Sequence, residues 1–114
     1  FKFDLKSVIA DNSSSTRFIT GGRMAPPSAL DLKTLGVVME INGEVVQTGA
    51  GAAVLGHPAA SVAMLANMLG ERGESLPAGA FIMIGAITAA MPVNPGDNFT
   101  VHYQDLGSIS GRFV

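Results

Sequence analysis

Val37-Val38-Met39-Glu40-Ile41-Asn42-Gly43-Glu44-Val45-Val46-Gln47-Thr48 decides the fold. Asn-Gly stands between two runs rich in β-branched residues. Both central positions of a two-residue hairpin turn need φ > 0, which Asn and Gly tolerate best. The stretch from Leu35 to Thr48 therefore predicts a pair of antiparallel strands. Directly after it comes Gly49-Ala50-Gly51-Ala52-Ala53-Val54-Leu55-Gly56-His57-Pro58. Pro58 suits a first helical position, where no N–H is needed. Val62, Leu65, Ala66 and Leu69 then recur at helical spacing, and Gly70 or Gly73 can end the helix.

Working outward, Phe1 to Ala10 reads as a strand, because Phe1, Phe3 and Leu5 alternate with Lys2, Asp4 and Lys6. Asp11 to Ser15 is a polar turn. Arg17 to Thr20 reads as a short strand ended by Gly21-Gly22. Pro26-Pro27 marks a loop, and Ser28 is a candidate cap for a short turn before Leu32. Phe81 to Ile84 is a short apolar strand candidate, and Asn94-Pro95-Gly96-Asp97 a turn. Phe99 to Tyr103 and Ile109 to Val114 are strands joined through Asp105-Leu106-Gly107. One domain over residues 1–114 follows. It is α+β, with a mixed, mostly antiparallel sheet and one main helix.

Composition narrows the function. Charged residues make up 14% of the 114 residues and hydrophobic ones 47%, against about 25% charged in ordinary soluble domains. Such a surface implies a cover, whether another part of a longer protein or a sister subunit. The net charge is −2, with seven scattered Lys and Arg. Nucleic-acid binding needs clustered cations, so this balance argues against a nucleic-acid partner. Without cysteine there is no disulfide, thiolate metal site or thiol nucleophile. No apolar run approaches the ~20 residues of a membrane span. The chain opens at Phe1 in a strand-like pattern, and we read it as the C-terminal part of a longer protein.

Four places could carry chemistry. At Asp11 to Ser15, hydroxyls and amide N–H groups at the end of a strand can hold a carboxylate; an ordinary turn explains the same composition. The glycines at 49, 51 and 56 lack Gly-x-Gly-x-x-Gly spacing and follow an antiparallel hairpin, which argues against a dinucleotide. A small anion at the helix N-terminus, or close packing of helix on sheet, fits equally well. His57 is either an acid–base group or a cap, and His102 sits in an alternating strand without acids at metal-ligand spacing. Gly85-Ala86-Ile87-Thr88-Ala89-Ala90 can offer backbone N–H groups and a hydroxyl to a ligand, or be a plain loop. Asn12-Ser13-Ser14 and Asn98-Phe99-Thr100 match the glycosylation sequon by chance.

Taken in order, six segments resemble one family: Ile9-Ala10-Asp11-Asn12-Ser13-Ser14, Gly36 to Glu44, Gly49 to Pro58, Leu65-Ala66-Asn67, Pro95-Gly96-Asp97 and Leu106-Gly107-Ser108-Ile109-Ser110. The chain resembles the C-terminal half of the 4-oxalocrotonate decarboxylase and 2-oxopent-4-enoate hydratase group of the fumarylacetoacetate hydrolase superfamily. Phe81 to Ala90 and Tyr103 to Ser108 look like the decarboxylase version. Ile84 and Ala86 depart from it, standing where a small hydroxyl residue and a glycine are usual, and add bulk beside the expected pocket.

The resemblance implies a rolled, sandwich- or barrel-like sheet and a lyase of aromatic meta-cleavage catabolism. It implies Mg²⁺ or Mn²⁺ chelating a 2-oxo acid, with a Glu-x-Glu pair, a further acid and a catalytic Lys all upstream of this chain. Ser14 and Ser15 would then meet the substrate carboxylate. Gly85, Ile87 and Thr88 would form the opposite wall, with His57 a lesser candidate. A homo-oligomer, association with the pathway hydratase and a cytoplasmic location are also implied. Hydratase activity, or a non-catalytic assembly role for the chain, are the alternatives.

Overall fold

The computed structural model describes residues 4–114. It contains α1 (Leu5–Ala10), β1 (Gly36–Ile41), β2 (Glu44–Ala50), α2 (Pro58–Gly70), β3 (Asn98–Tyr103) and β4 (Gly107–Arg112), with short 3₁₀ turns at Asn12–Ser14, Pro27–Ala29 and Gly51–Ala53. The four strands form one antiparallel sheet in the order β2-β1-β3-β4.

The hairpin forms as expected. Asn42 and Gly43 take φ of 53° and 83°, as a two-residue turn requires, and Ile41 faces Glu44. A bulge between Met39 and Glu40 shifts the register against β2. Asn42 also ties the hairpin tip to β3. Its N–H donates to the Asn98 carbonyl (2.8 Å) and its side-chain oxygen accepts from the Asn98 N–H (2.9 Å). Its Nδ2 donates to Asp97 (2.8 Å). Asp97 in turn accepts from the Asn94 N–H (2.8 Å), which closes the turn at Asn94 to Asp97.

Alternation gives the sheet two unlike faces. Val37 pairs with Tyr103, and Met39 with Val101, which pairs with Ile109. This face is apolar. Val38, Glu40, Thr100, His102, Ser108 and Ser110 occupy the other, polar face by the same period of two. There His102 lies 3.5 Å from Glu40.

Helix α2 begins where Pro58 places it. His57 is the N-cap, its Nδ1 accepting the Ala59 N–H at 3.1 Å. The helix closes through Gly73 at φ 73°. Gly73 N–H donates to the Gly70 carbonyl and Glu74 N–H to that of Leu69, the pairing of a Schellman motif.

Several expectations are corrected. Leu5–Ala10 is helical, because Asp4 caps it by accepting the Ser7 N–H at 2.7 Å; the Phe1 to Phe3 part of that expected strand lies outside the described residues. Arg17 to Thr20 and Phe81 to Ile84 form no strand; neither joins the open edge of β2 or of β4. Ser28 caps nothing. Asp31 instead accepts the Lys33 and Thr34 N–H groups. The apolar-run reading is amended too. Gly51–Gly70 has a mean hydropathy of 1.4, enough by length and composition for a membrane span. Its α-helix, however, is only 13 residues, about 20 Å long against a ~30 Å hydrocarbon core.

The core is thin. Leu35, Val37 and Val54 are the buried hydrophobic residues among those described. The accessible surface is 8606 Å², where a compact monomer of this size shows about 5,900 Å². The radius of gyration is 15.8 Å against about 13 Å for a compact chain. Phe18, Phe81, Met83, Met64 and Met68 are at least half exposed. The low charge content noted in the sequence is thus matched by apolar surface that this chain does not cover.

Gly51 is the tightest crossing. Its N–H donates to the Leu35 carbonyl at 3.0 Å, and a Cβ placed on it would collide with the Leu32 carbonyl. Gly51→Ala is expected to destabilise the fold by about 2–3 kcal/mol, the range for overpacking against backbone, as read by urea denaturation. The Asn42 amide, then the Asn94 N–H, hold the Asp97 carboxyl below its ordinary pKa. A depressed native pKa adds stability above the unfolded value, ~3.9, that is lost as pH falls through the native one. Asp97→Asn is therefore expected to lower the melting midpoint at neutral pH and to flatten its decline below about pH 4.

Candidate functional site

The candidate site is built by two loops meeting over the apolar sheet face. The first is Asp11 to Ser15. Asn12 and Ser13 both take left-handed φ, 50° and 55°, a conformation that costs non-glycine residues energy and recurs at ligand sites. Ser15 N–H is used inside the turn, donating to the Asn12 carbonyl at 3.0 Å, and its own carbonyl accepts Asn12 Nδ2 at 3.1 Å. What Ser15 retains for a ligand is its hydroxyl, not its amide. The Ser14 side chain lies outside what the structure describes.

The second loop is Gly85 to Thr88. Gly85 takes φ 98°, which only glycine adopts without strain. Among the described residues, no backbone N–H or C=O between Phe81 and Val93 is hydrogen-bonded within the chain. The N–H groups of Gly85, Ala86, Ile87 and Thr88 are therefore free donors. Gly49 on β2 brings this wall close. A Cβ there would stand 2.6 Å from Ile87 Cγ2 and 3.3 Å from Thr88 Cγ2.

The two loops share a cleft. Ser13, Ser15, Met83, Gly85 and Ala86 line a space of about 480 Å³. Gly85 and Ala86 also line an adjoining space of about 290 Å³, with Ile87, Thr88 and the sheet residues Val37, Met39, Val101 and Tyr103. Phe18 and Phe81 stack with ring centroids 4.8 Å apart and planes at 19°, joining the segment after the first loop to the one before the second. Of the residues singled out in the sequence, Ser15 and Gly85 line the first space, and Gly85, Ile87 and Thr88 the adjoining one.

His57 is not among them. It lines neither space and spends its Nδ1 on the helix cap. Ala86 stands beside the cleft as expected, but Ile84 does not. It lines a separate apolar groove with Pro27, Leu32, Val62 and Ala63. Tyr103 and the Phe18–Phe81 stack were missed from the sequence. Tyr103 sits in register opposite Val37, a relation that alternation along β3 foreshadows. The stack joins residues far apart in sequence and left no local signal. Among the described residues no three His, Asp or Glu side chains gather as a metal would require.

Comparison with known proteins fits this geometry. Residues 2–114 match the family model described as fumarylacetoacetate (FAA) hydrolase C-terminal. The chain belongs to the fumarylacetoacetate hydrolase family. It is 75% identical over 114 residues to a 4-oxalocrotonate decarboxylase of Pseudomonas sp. (strain CF600), covering 100% of this chain and 43% of that protein. It is 44% identical over 106 residues to a 2-oxo-hept-4-ene-1,7-dioate hydratase of Escherichia coli, covering 93% of this chain and 40% of the hydratase.

Among solved structures, 4-oxalocrotonate decarboxylase from Pseudomonas putida G7 complexed with magnesium and adipate superposes with a TM-score of 0.94 at 74% identity. The match covers 100% of this chain and 43% of that one. The chain therefore spans less than half the length of these relatives, and its α+β architecture is that of the fumarylacetoacetate hydrolase C-terminal domain.

Gly49→Ala tests the contact that sets the wall. It is expected to shift the methyl NMR signals of Ile87 and Thr88 while leaving Val38 and Thr100, on the other face, unmoved. The accompanying loss of stability is expected to be about 1–3 kcal/mol.

Proposed function

We propose that this chain is the C-terminal part of a metal-dependent 4-oxalocrotonate decarboxylase. The intact enzyme would convert 2-oxo-3-hexenedioate to 2-oxopent-4-enoate and carbon dioxide in aromatic meta-cleavage catabolism. The observation that carries this reading is the 75% identity to a decarboxylase along the whole chain, against 44% to a hydratase. Hydration of the dienoate is the second reading, favoured by that same hydratase relative.

In this proposal the chain supplies the substrate-holding half of the site. Ser14 and Ser15 would hold the carboxylate next to the 2-oxo group. The N–H groups of Gly85 and Ile87, with Thr88, would face it across the cleft. Free N–H donors already aimed at a developing negative charge need no rearrangement as the charge forms, which is how such walls lower a barrier. Val101 and Tyr103 would form the apolar floor beside these donors.

The P. putida G7 relative carries magnesium, and we extend a divalent ion, Mg²⁺ or Mn²⁺, to the intact enzyme. Such an ion supplies Lewis-acid stabilisation of charge on an oxo acid. Residues among those described do not form its cage. We place its acidic ligands in parts of the enzyme beyond these 114 residues. The same parts, a sister subunit and the pathway hydratase are the proposed covers of the exposed apolar surface, in a cytoplasmic enzyme.

Full-length protein with Mg²⁺ is expected to release carbon dioxide from 2-oxo-3-hexenedioate in step with formation of 2-oxopent-4-enoate. Supplied with the dienoate alone, it is expected to form no 4-hydroxy-2-oxo acid. Hydration without carbon dioxide release would transfer the assignment to the hydratase branch.

A further inference from the structure

Residues 81–84 show the alternation of a strand without a strand's bonds. Phe81 and Met83 are 65% and 61% exposed, while Ile82 and Ile84 are half-buried, the period of two of extended chain. The two sides look onto different surroundings. Met83 lines the first cleft space with Ser13 and Ser15, and Ile84 lines the apolar groove with Leu32, Val62 and Ala63. Positive-φ glycines, Gly79 at 81° and Gly85 at 98°, bracket the run.

The amides and carbonyls of an extended run point sideways, between its two side-chain faces. Here none of them is bonded among the described residues, and the run joins neither open edge of the four-stranded sheet. Two needs therefore coincide. Apolar side chains call for a cover, and a cover without donors and acceptors would leave these main-chain groups unpaired in an apolar place. A helix uses its main-chain groups internally and has none to offer along its side. A β-strand meets both needs at once.

Size and symmetry argue for the source of that strand. The accessible surface of 8606 Å² exceeds that of a compact monomer of this size by about 2,700 Å². A standard interface takes only about 800 Å² from each partner, so one docked copy accounts for a minor share. Pairing of the run with its own copy about a twofold axis would also serve one of its edges and leave the other bare. More than half of each relative lies outside the part that this chain matches, which is length enough for several strands. We propose that residues 81–84 are an interior strand of the longer protein, completed by β-pairing with a segment of the same polypeptide beyond these 114 residues. Such pairing would anchor the loop of Gly85 to Thr88 at its root. The inference rests on the proposed function only in taking the chain as part of a longer enzyme.

The test is hydrogen exchange on the full-length protein, read by mass spectrometry of peptides spanning residues 81–84, together with its crystal structure. The amides of Ile82, Met83 and Ile84 are expected to exchange at least about 100-fold more slowly than in an unstructured peptide. The crystal structure is expected to place a strand of the same polypeptide about 4.8 Å from the run.

Exchange at the unstructured rate would overturn the inference, as would a strand supplied by a second copy or a helix packed in its place. Carbon dioxide release by a protein whose residues 81–84 exchange freely would sink this inference and spare the proposed function. Hydration without carbon dioxide release, with those amides protected and the strand in place, would do the reverse.

Discussion

The side chain and main chain of Asn42 fix the frame on which the rest is hung. The residue turns the hairpin, bonds Asn98 through both its N–H and its side-chain oxygen, and grips Asp97. Nearly half of the chain lies between the end of β1 and the start of β3, and this residue sets their register. A slip of one position would send Met39, Val101 and Tyr103 to the polar face and empty the apolar one. The cleft exists because that face is continuous, so a turn residue on the far side of the sheet is indirectly responsible for it.

Glycine supplies the second constraint, at two neighbouring positions with different tasks. Gly51 lets the chain at Leu32 cross beneath the end of β2, and Gly49 lets Ile87 and Thr88 lie against the strand. The stretch from Gly49 to Pro58 looked in the sequence like an anion loop or a packing device. In the structure Gly49 and Gly51 admit neighbouring backbone and side chains, and His57 caps a helix. The proposed site draws its N–H groups instead from Gly85 to Thr88.

Features closed by nearby residues were legible in the sequence. The Asn42-Gly43 hairpin, Pro58 at the start of α2, Gly73 beyond its end and the turn at Asn94 to Asp97 each depend on φ preferences within a few residues. Features needing a distant partner were not. Phe81 to Ile84 and Arg17 to Thr20 have the composition of strands, but a strand also requires a neighbour to bond, and neither segment pairs with the open edge of β2 or β4. Asp4 overrode the alternation around it through one capping hydrogen bond. For the site, resemblance to a family pointed to Ser14, Ser15, Gly85, Ile87 and Thr88; Ser15 and Gly85 line one space, Gly85, Ile87 and Thr88 the next, and His57, also named, lines neither.

The unpaired backbone from Phe81 to Val93 has a consequence for life in the cell. Phe81-Ile82-Met83-Ile84 combines oily side chains with open amide and carbonyl groups, the two ingredients by which one polypeptide templates onto another. A nascent chain displaying it for long invites clumping. Prompt burial of that ribbon is therefore a matter of solubility as much as of catalysis, and selection on the ribbon's surroundings acts through both at once.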